Sequence, residues 1–255
     1  MPNTTDATYQ SLCSKYYDAD KTVAPDDALK FYLAKADHAK GKILEPMCGS
    51  GRFLLPLLQR GYDITGFDTS EYMLQQCENK AKEQRLITDT KITKSNFANY
   101  KYDLSYQLIM IPSGSFCLLS DAQATEALSI VHKVLDEKGT FIVEIDTINC
   151  KQEEDYGIWS GKWIDLNDNS KIVLSCISSY DEATKIEKTI TKYELWENNV
   201  ITKTEVEDFN LRLYKITEME KLLLKHKFRI VRKIIPYTNV NADENATSVL
   251  FECTI

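Results

Sequence analysis

The chain has 255 residues, 43% of them hydrophobic and 27% charged, and acidic residues outnumber basic ones 38 to 31 for a formal net charge of -7. This length fits one large domain, or one domain with an insertion, and the apolar content is ample for a core. The excess of negative charge repels a polyanion at long range, so nucleic acid and anionic membranes are poor candidates for the main partner.

The seven cysteines, Cys13, Cys48, Cys77, Cys117, Cys150, Cys176 and Cys253, are scattered with no CxxC pair, so neither a zinc nor a dithiol motif is present in the sequence. Their odd number and wide spacing point to small core residues in a reducing compartment. The start, Met1 to Asp6, has neither a basic end nor an apolar core, so no signal peptide is expected. No apolar run reaches the ~20 residues that span a membrane. The expectation is a soluble cytoplasmic protein, monomer or homodimer.

Residues 7–40 read as helical. Tyr9, Leu12, Cys13 and Tyr16 recur at helical spacing. Pro25 followed by Asp26 and Asp27 reads as a helix start, and Gly41 as its end. Alternating elements follow: a strand over Ile43 to Pro46, a helix over Arg52 to Gln59 and a strand over Tyr62 to Phe67. Next come a helix over Ser70 to Gln84, a short strand over Lys91 to Lys94, and a strand over Leu104 to Ile111. A helix over Asp121 to Leu135 precedes a fifth strand, which Gly139 opens and which runs from Thr140 to Ile145. Strands alternating with helices predict an α/β, Rossmann-like doubly wound sheet, mostly parallel and covered on both faces.

After about residue 150 the pattern changes. Ile172 to Tyr180, Lys185 to Trp196 and Val200 to Tyr214 read as strands. They are divided by turn signals at Asn167-Asp168-Asn169, Asp181-Glu182 and Asn198-Asn199. This predicts an antiparallel β meander inserted into the α/β body, with Trp159, Trp163 and Trp196 packing it. A helix over Thr217 to His226 follows, with Thr217 as its cap. The last two strands, Phe228 to Ile235 and Ser248 to Thr254, are joined without a helix and should pair antiparallel. The expected organisation is a main domain over residues 1–150 and 215–255, with a helical lid at its N-terminal end. The inserted β region covers residues 151–214.

The stretch from Lys42 to Phe53, KILEPMCGSGRF, reads as a buried strand, a glycine turn and a helix start. Gly49 and Gly51 suit a turn that approaches a ligand closely, and amides at the following helix start would face whatever sits there. Asp68 ends the next strand at about the ~20-residue spacing that places a carboxylate on a ribose. A dinucleotide site needs a small residue three positions after its second glycine, and Leu54 stands there. Gly51-Arg52-Phe53 is not the phosphate loop of NTPases.

The run Ile43 to Phe53, together with Gly66-Phe67-Asp68-Thr69-Ser70-Glu71-Tyr72-Met73-Leu74, resembles the class I S-adenosylmethionine-dependent methyltransferases. The resemblance covers roughly residues 41–146, and 215–255 more loosely. It implies that the loop Cys48, Gly49, Ser50 and Gly51 cradles the methionine portion, that Arg52 reaches its carboxylate, and that Glu45 at the end of the first strand belongs to the cofactor site. Asp68 would accept from both ribose hydroxyls. Thr69 and Met73 would pack near the adenosine, Asn96 and Phe97 would recognise the adenine, and Ile111 would face the cofactor. Met47 stands where the family has its first glycine, and Asn96 where it has an aspartate. Segments such as Glu205 to Tyr214 also resemble the members that act on small molecules, in which the meander and the N-terminal helix cover the acceptor pocket.

The implied reaction transfers a methyl group from S-adenosylmethionine to a nitrogen or oxygen atom of a small molecule by in-line displacement. S-adenosylhomocysteine is the expected product, and no metal is expected. The cofactor brings its own leaving group, so the protein mainly aligns the reactants. Tyr17 and Asp146 are candidates for catalysis. Tyr17, Ser113, Phe116, Arg212 and Tyr214 are candidates for holding the acceptor. His38, His132 and His226 lie in charged helical stretches and read as surface residues. The competing reading is a binding module, a sensor or partner protein that keeps the fold and cofactor without turnover. A nicotinamide oxidoreductase is disfavoured by Leu54.

Overall fold

The computed structural model describes residues 8–87, 91–103, 105–166 and 169–255. The segment before Thr8, Leu104 at the expected start of the fourth strand, and Asn167 and Asp168 of an expected turn lie outside the described residues. In chain order the elements are α1 (Ser11–Asp20), α2 (Asp26–His38), β1 (Ile43–Pro46), α3 (Leu54–Gln59), β2 (Ile64–Asp68), α4 (Glu71–Glu83), β3 (Ile92–Lys94), β4 (Tyr106–Ile111), α5 (Asp121–Val134) and β5 (Leu135–Asp146). Then come β6 (Ser160–Asp165), β7 (Ser170–Asp181), β8 (Ile186–Glu197), β9 (Val200–Arg212), α6 (Ile216–Lys225), β10 (Arg229–Ile234) and β11 (Ser248–Thr254).

Seven strands form one sheet in the order β10-β11-β5-β4-β1-β2-β3. β1 pairs in parallel with β2 on one side and β4 on the other, β2 with β3, and β4 with β5. β11 runs antiparallel to both β5 and β10. The middle strands are largely apolar, since both faces are covered, with Glu45 on β1 as a buried exception. Ala28, Tyr32 and Ala36 of α2 pack on one face with Leu54, Leu57 and Cys77. Ala124, Leu128 and Val131 of α5 pack on the other with Met219 and Leu223 of α6. Strand order turns back between β1 and β4, and open α/β sheets bind ligands at such a switch point.

The approach of α3 to the sheet depends on Gly66. A Cβ there would lie 2.6 Å from Leu54 Cδ1 and 2.8 Å from the Glu45 carbonyl oxygen. Leu54 therefore occupies space that a missing side chain on β2 leaves free. In dinucleotide folds the glycine of this contact sits on the helix; here it sits on the strand.

The second sheet, β6-β7-β8-β9, is an antiparallel meander. The chain leaves the main sheet at Thr147 and returns at Tyr214, and these two residues pair with each other. The Ile148 amide donates to the Tyr214 carbonyl at 3.1 Å, and the Tyr214 amide to the Asp146 carbonyl at 3.2 Å. Leu12, Cys13 and Tyr16 of α1 bury their side chains against Ile172 and Tyr193 of the meander.

Several expected boundaries are corrected. β6 was not anticipated. β5 begins at Leu135 rather than at Gly139, because Leu135 already pairs with Tyr106 across a bulge. α2 ends at His38, short of Gly41. α6 starts after Lys215, so Thr217 lies inside the helix instead of capping it. Trp159 and Trp163 are 58% and 66% exposed, so they do not pack the meander core. Among the described residues no helix is long and apolar enough to cross a membrane.

Substituting Gly66→Ala is expected to destabilise the protein by about 1–3 kcal/mol, since the new methyl meets a backbone oxygen as well as Leu54. Thermal unfolding should register this as a fall of several degrees. The double variant with Leu54→Ala should lose less than the sum of the two single losses, because the two side chains compete for one space.

Candidate active site

At the carboxyl ends of β1, β2 and β4 the main sheet opens into a cleft of about 220 Å³. Its floor is the loop after β1. Met47, Gly49 and Gly51 adopt left-handed backbone at φ 58°, 52° and 77°. Met47 thus takes the conformation that a glycine reaches without cost, against a penalty of roughly 1–2 kcal/mol for a residue with a side chain. The loop shape is kept where the glycine is missing.

Asp68 holds this loop in place. Its Oδ2 accepts the Gly49 N–H at 2.9 Å and its Oδ1 accepts the Ser70 N–H at 2.9 Å. A carboxylate has about four acceptor positions, so each oxygen keeps a lone pair for a ligand. Burial raises the pKa of Asp68, and the N–H donors from Ser70, Gly49 and Thr69 oppose that rise. Ser70 also caps α4 by accepting the Met73 N–H at 3.2 Å.

Two groups on the cleft wall lack a partner of opposite charge. Glu45 is buried, and its Oε2 has no hydrogen-bond partner among the described residues. Its pKa is well above the usual carboxylate range, first because of burial and then because of Asp68, with Arg52 opposing. Arg52 donates to the Tyr17 hydroxyl at 2.8 Å and to the Val23 carbonyl at 3.2 Å. No carboxylate among the described residues forms an ion pair with it. One cleft therefore holds a carboxyl oxygen with no donor and a guanidinium with no carboxylate.

The structure brings most of the sequence-predicted residues together. Tyr17, Glu45, Cys48, Gly49, Ser50, Arg52, Asp68, Thr69, Met73, Asn96, Phe97 and Ser113 all line this cleft. Ser50 accepts from Lys80 at 3.1 Å. Asn96 uses its side-chain oxygen to take the Asn99 N–H at 3.0 Å. Phe97 stands edge-on to Phe67 at 5.2 Å. The Ser113 N–H donates to Glu144 at 2.9 Å, and the Tyr237 hydroxyl donates to the same oxygen, which fixes the turn after β4.

Other predicted residues lie elsewhere. Gly51 sits beneath the loop, where a Cβ would meet Cys77 Sγ at 2.5 Å. Ile111 and Phe116 are in the core. Arg212 ties β9 to the first turns of α5 and α6, pairing with Asp121 at 3.2 Å and with Glu218. Tyr214 is buried at the seam beside Phe116. Asp146 lines a separate cleft. None of the three histidines lines either cleft.

The sequence reading missed Tyr9 and Thr8 on the roof, and Leu118, Leu119, Gln123 and Glu126 on the wall beyond β4. For the last four the signal was position alone, since they follow the carboxyl end of β4 next to the switch point; Thr8 and Tyr9 precede the first helix and carried no such signal.

Residues 43–139 match the model of the methyltransferase domain family. That stretch holds the glycine loop and Asp68, and the match supports a class I S-adenosylmethionine-dependent methyltransferase. Over 244 residues the chain is 20% identical to YqeM of Bacillus subtilis (strain 168), a candidate methyltransferase by its name, with 96% of each chain covered. Its fold is similar to that of an S-adenosylmethionine-dependent methyltransferase from Clostridium acetobutylicum ATCC 824. The TM-score is 0.78 at 17% identity, over 95% of this chain and 97% of that one. It is also similar to CalS10 from Micromonospora echinaspora, an amino pentose methyltransferase solved with S-adenosylmethionine bound. There the TM-score is 0.69 at 11% identity, over 97% and 98% of the two chains.

Because Asp68 secures the backbone N–H groups of Gly49 and Ser70, Asp68→Ala should cost about 1.5–3 kcal/mol of folding stability, quite apart from any ligand. Denaturant unfolding should show a lower midpoint with an unchanged slope.

Proposed function

We propose that the first cleft holds S-adenosylmethionine and that the enzyme moves its methyl group to a nitrogen or oxygen atom of a small molecule. The observation that carries this reading is the pairing of opposite needs on one wall. Glu45 Oε2 lacks a donor and Arg52 lacks a carboxylate. A zwitterionic amino-acid end satisfies both, with its ammonium toward Glu45 and its carboxylate toward Arg52. Cys48, Gly49 and Ser50 then lie along the methionyl chain. The free lone pairs of Asp68 accept from the ribose hydroxyls. Thr69, Met73, Asn96 and Phe97 surround the adenosine.

When bound, the cofactor supplies a sulfonium-activated methyl group. The protein's part is to orient the acceptor and keep water from the reacting centre. A small acceptor agrees with the α1 roof over the cleft and with the acidic net charge. CalS10, which shares the fold, acts on an amino pentose. We place the enzyme in the cytoplasm, in keeping with seven free cysteines.

Calorimetry with S-adenosylhomocysteine and with NADH tests the donor. The former should bind and the latter should not; the reverse result would overturn the reading. Incubation with labelled S-adenosylmethionine and pooled small metabolites should yield labelled product, whereas a binding module without turnover would give none.

Glu45 adds a dependence on pH. Its raised pKa means that it holds a proton more readily than an ordinary carboxyl, and pairing with an ammonium requires the ionised form. S-adenosylhomocysteine affinity should therefore fall as pH drops through that raised value, with proton release on binding above the level set by the buffer. Glu45→Gln should lower affinity roughly tenfold, about 1.4 kcal/mol, and remove this pH slope.

A further inference from the structure

A second cleft, of about 310 Å³, opens between the end of β5, the short turns that follow it and the inner face of the meander. Gly114 stands between lining residues of the two clefts. A Cβ on Gly114 would sit 2.6 Å from Asp146 Oδ2, so this carboxylate lies directly against the turn after β4. Ser113 and Ser115, on either side of that glycine, line the first cleft, while Asp146 lines the second.

The second cleft has a distinct chemistry. Leu211 and Leu213 give it an apolar wall, and Asp146, Glu187 and Asp155 supply carboxylates. No lysine or arginine is among its lining residues. The Tyr156 hydroxyl donates to Glu187 at 2.7 Å. The hydrogen bonds of Asp146 are made by its backbone to Cys117 and Tyr214, so its carboxylate accepts none from the described residues. Lys21, at the end of α1, is the cation whose charge reaches Asp146; Lys151 is held outside by Glu153 and Glu182. Among the described residues no group of three or more His, Cys, Asp or Glu could hold a metal ion. Carboxylates beside an apolar wall suit an organic cation, whose charge they pair and whose hydrocarbon part the leucines cover.

We infer that this second cleft seats the methyl acceptor, and that the acceptor is a small-molecule amine whose nitrogen Asp146 and Glu187 direct toward the Ser113–Ser115 turn. This rests on the donor assignment made above. An alcohol would first have to surrender a far more tightly held proton, and no histidine lines the cleft to take it. An ammonium gives one proton to Asp146. The freed lone pair then forms the N–C bond, and the methyl C–S bond breaks with its electron pair staying on sulfur. The product is the methylated ammonium, and Asp146 returns its proton to water. Burial, and next the charge of Glu187, raise the pKa of Asp146, which makes it a better proton acceptor than an ordinary carboxylate.

The test uses the full chain and ligand-observed NMR with three probes of one shape: cyclohexylamine, cyclohexanol and cyclohexanecarboxylate. Each is recorded with and without S-adenosylhomocysteine. Cyclohexylamine should bind best and the carboxylate least. Asp146→Asn and Glu187→Gln should each weaken the amine at least fivefold, while S-adenosylhomocysteine affinity is retained. Leu211→Phe, which fills the cleft without touching a carboxylate, should abolish amine binding and serves where the charge variants fail to fold. Equal or stronger binding of the alcohol or the carboxylate overturns the inference. So does an amine signal that survives Leu211→Phe or the Asp146→Asn/Glu187→Gln pair. Failure of S-adenosylhomocysteine to bind the unaltered chain overturns the donor assignment instead, and the amine titration still reads out the second cleft.

Discussion

The hydrogen bonds from the Gly49 and Ser70 N–H groups to Asp68 are the constraint on which the site depends. Left-handed residues at positions 47, 49 and 51 give the loop after β1 a shape that the chain does not favour by itself. One carboxylate fixes that loop to the end of β2, and the Cys48 amide adds a bond to the Phe67 carbonyl at 3.0 Å. The same carboxylate orders the start of α4. Floor and wall of the cleft are thereby set before any ligand arrives, which lowers the ordering cost of binding.

The roof is secured from a different direction. α1 has no acidic residue in its first turn and no cap of its own. Glu207 accepts the Tyr9 and Gln10 N–H groups at 2.8 Å each, and Glu205 accepts the Leu12 N–H at 2.6 Å. Both carboxylates come from β9, and negative charge at a helix N-terminus is favourable. At its other end α1 meets the main domain through the Lys80–Asp18 pair at 2.6 Å and the Arg52–Tyr17 bond. Tyr17 on this helix and Tyr9 just before it therefore reach the cleft from an element that the meander holds.

The parallel core could be read from the sequence because its strands and helices are locally consistent. Ile43 to Pro46, the glycine turn and the Asp68 spacing each pointed to one arrangement. What could not be read has nonlocal causes. β6, with Gly161 and exposed Trp163, lacks the alternation of a half-buried strand and exists because β7 offers it an edge. The first residues of β5 include Asp136, Glu137 and Lys138, which suggest a turn until Tyr106 pairs with Leu135. Arg212 has the polar tip of a binding residue, and only the seam beside α5 and α6 reveals Asp121 and Glu218 as the partners that engage it; Tyr214 is buried there beside Phe116. The carboxylates that cap α1 lie almost 200 positions away from it, beyond any local signal.

The pairing of Thr147 with Tyr214 has an evolutionary consequence. Because the chain departs and returns at adjacent points, the intervening 66 residues can lengthen, shorten or change sequence without disturbing the register of the main sheet. The helix capped by Glu205 and Glu207 limits that freedom, since an exchanged meander must bring its own carboxylates or leave α1 uncapped. Diversification of this scaffold should then proceed by paired replacement, with the first twenty residues and the excursion drifting as one unit while the glycine loop stays fixed.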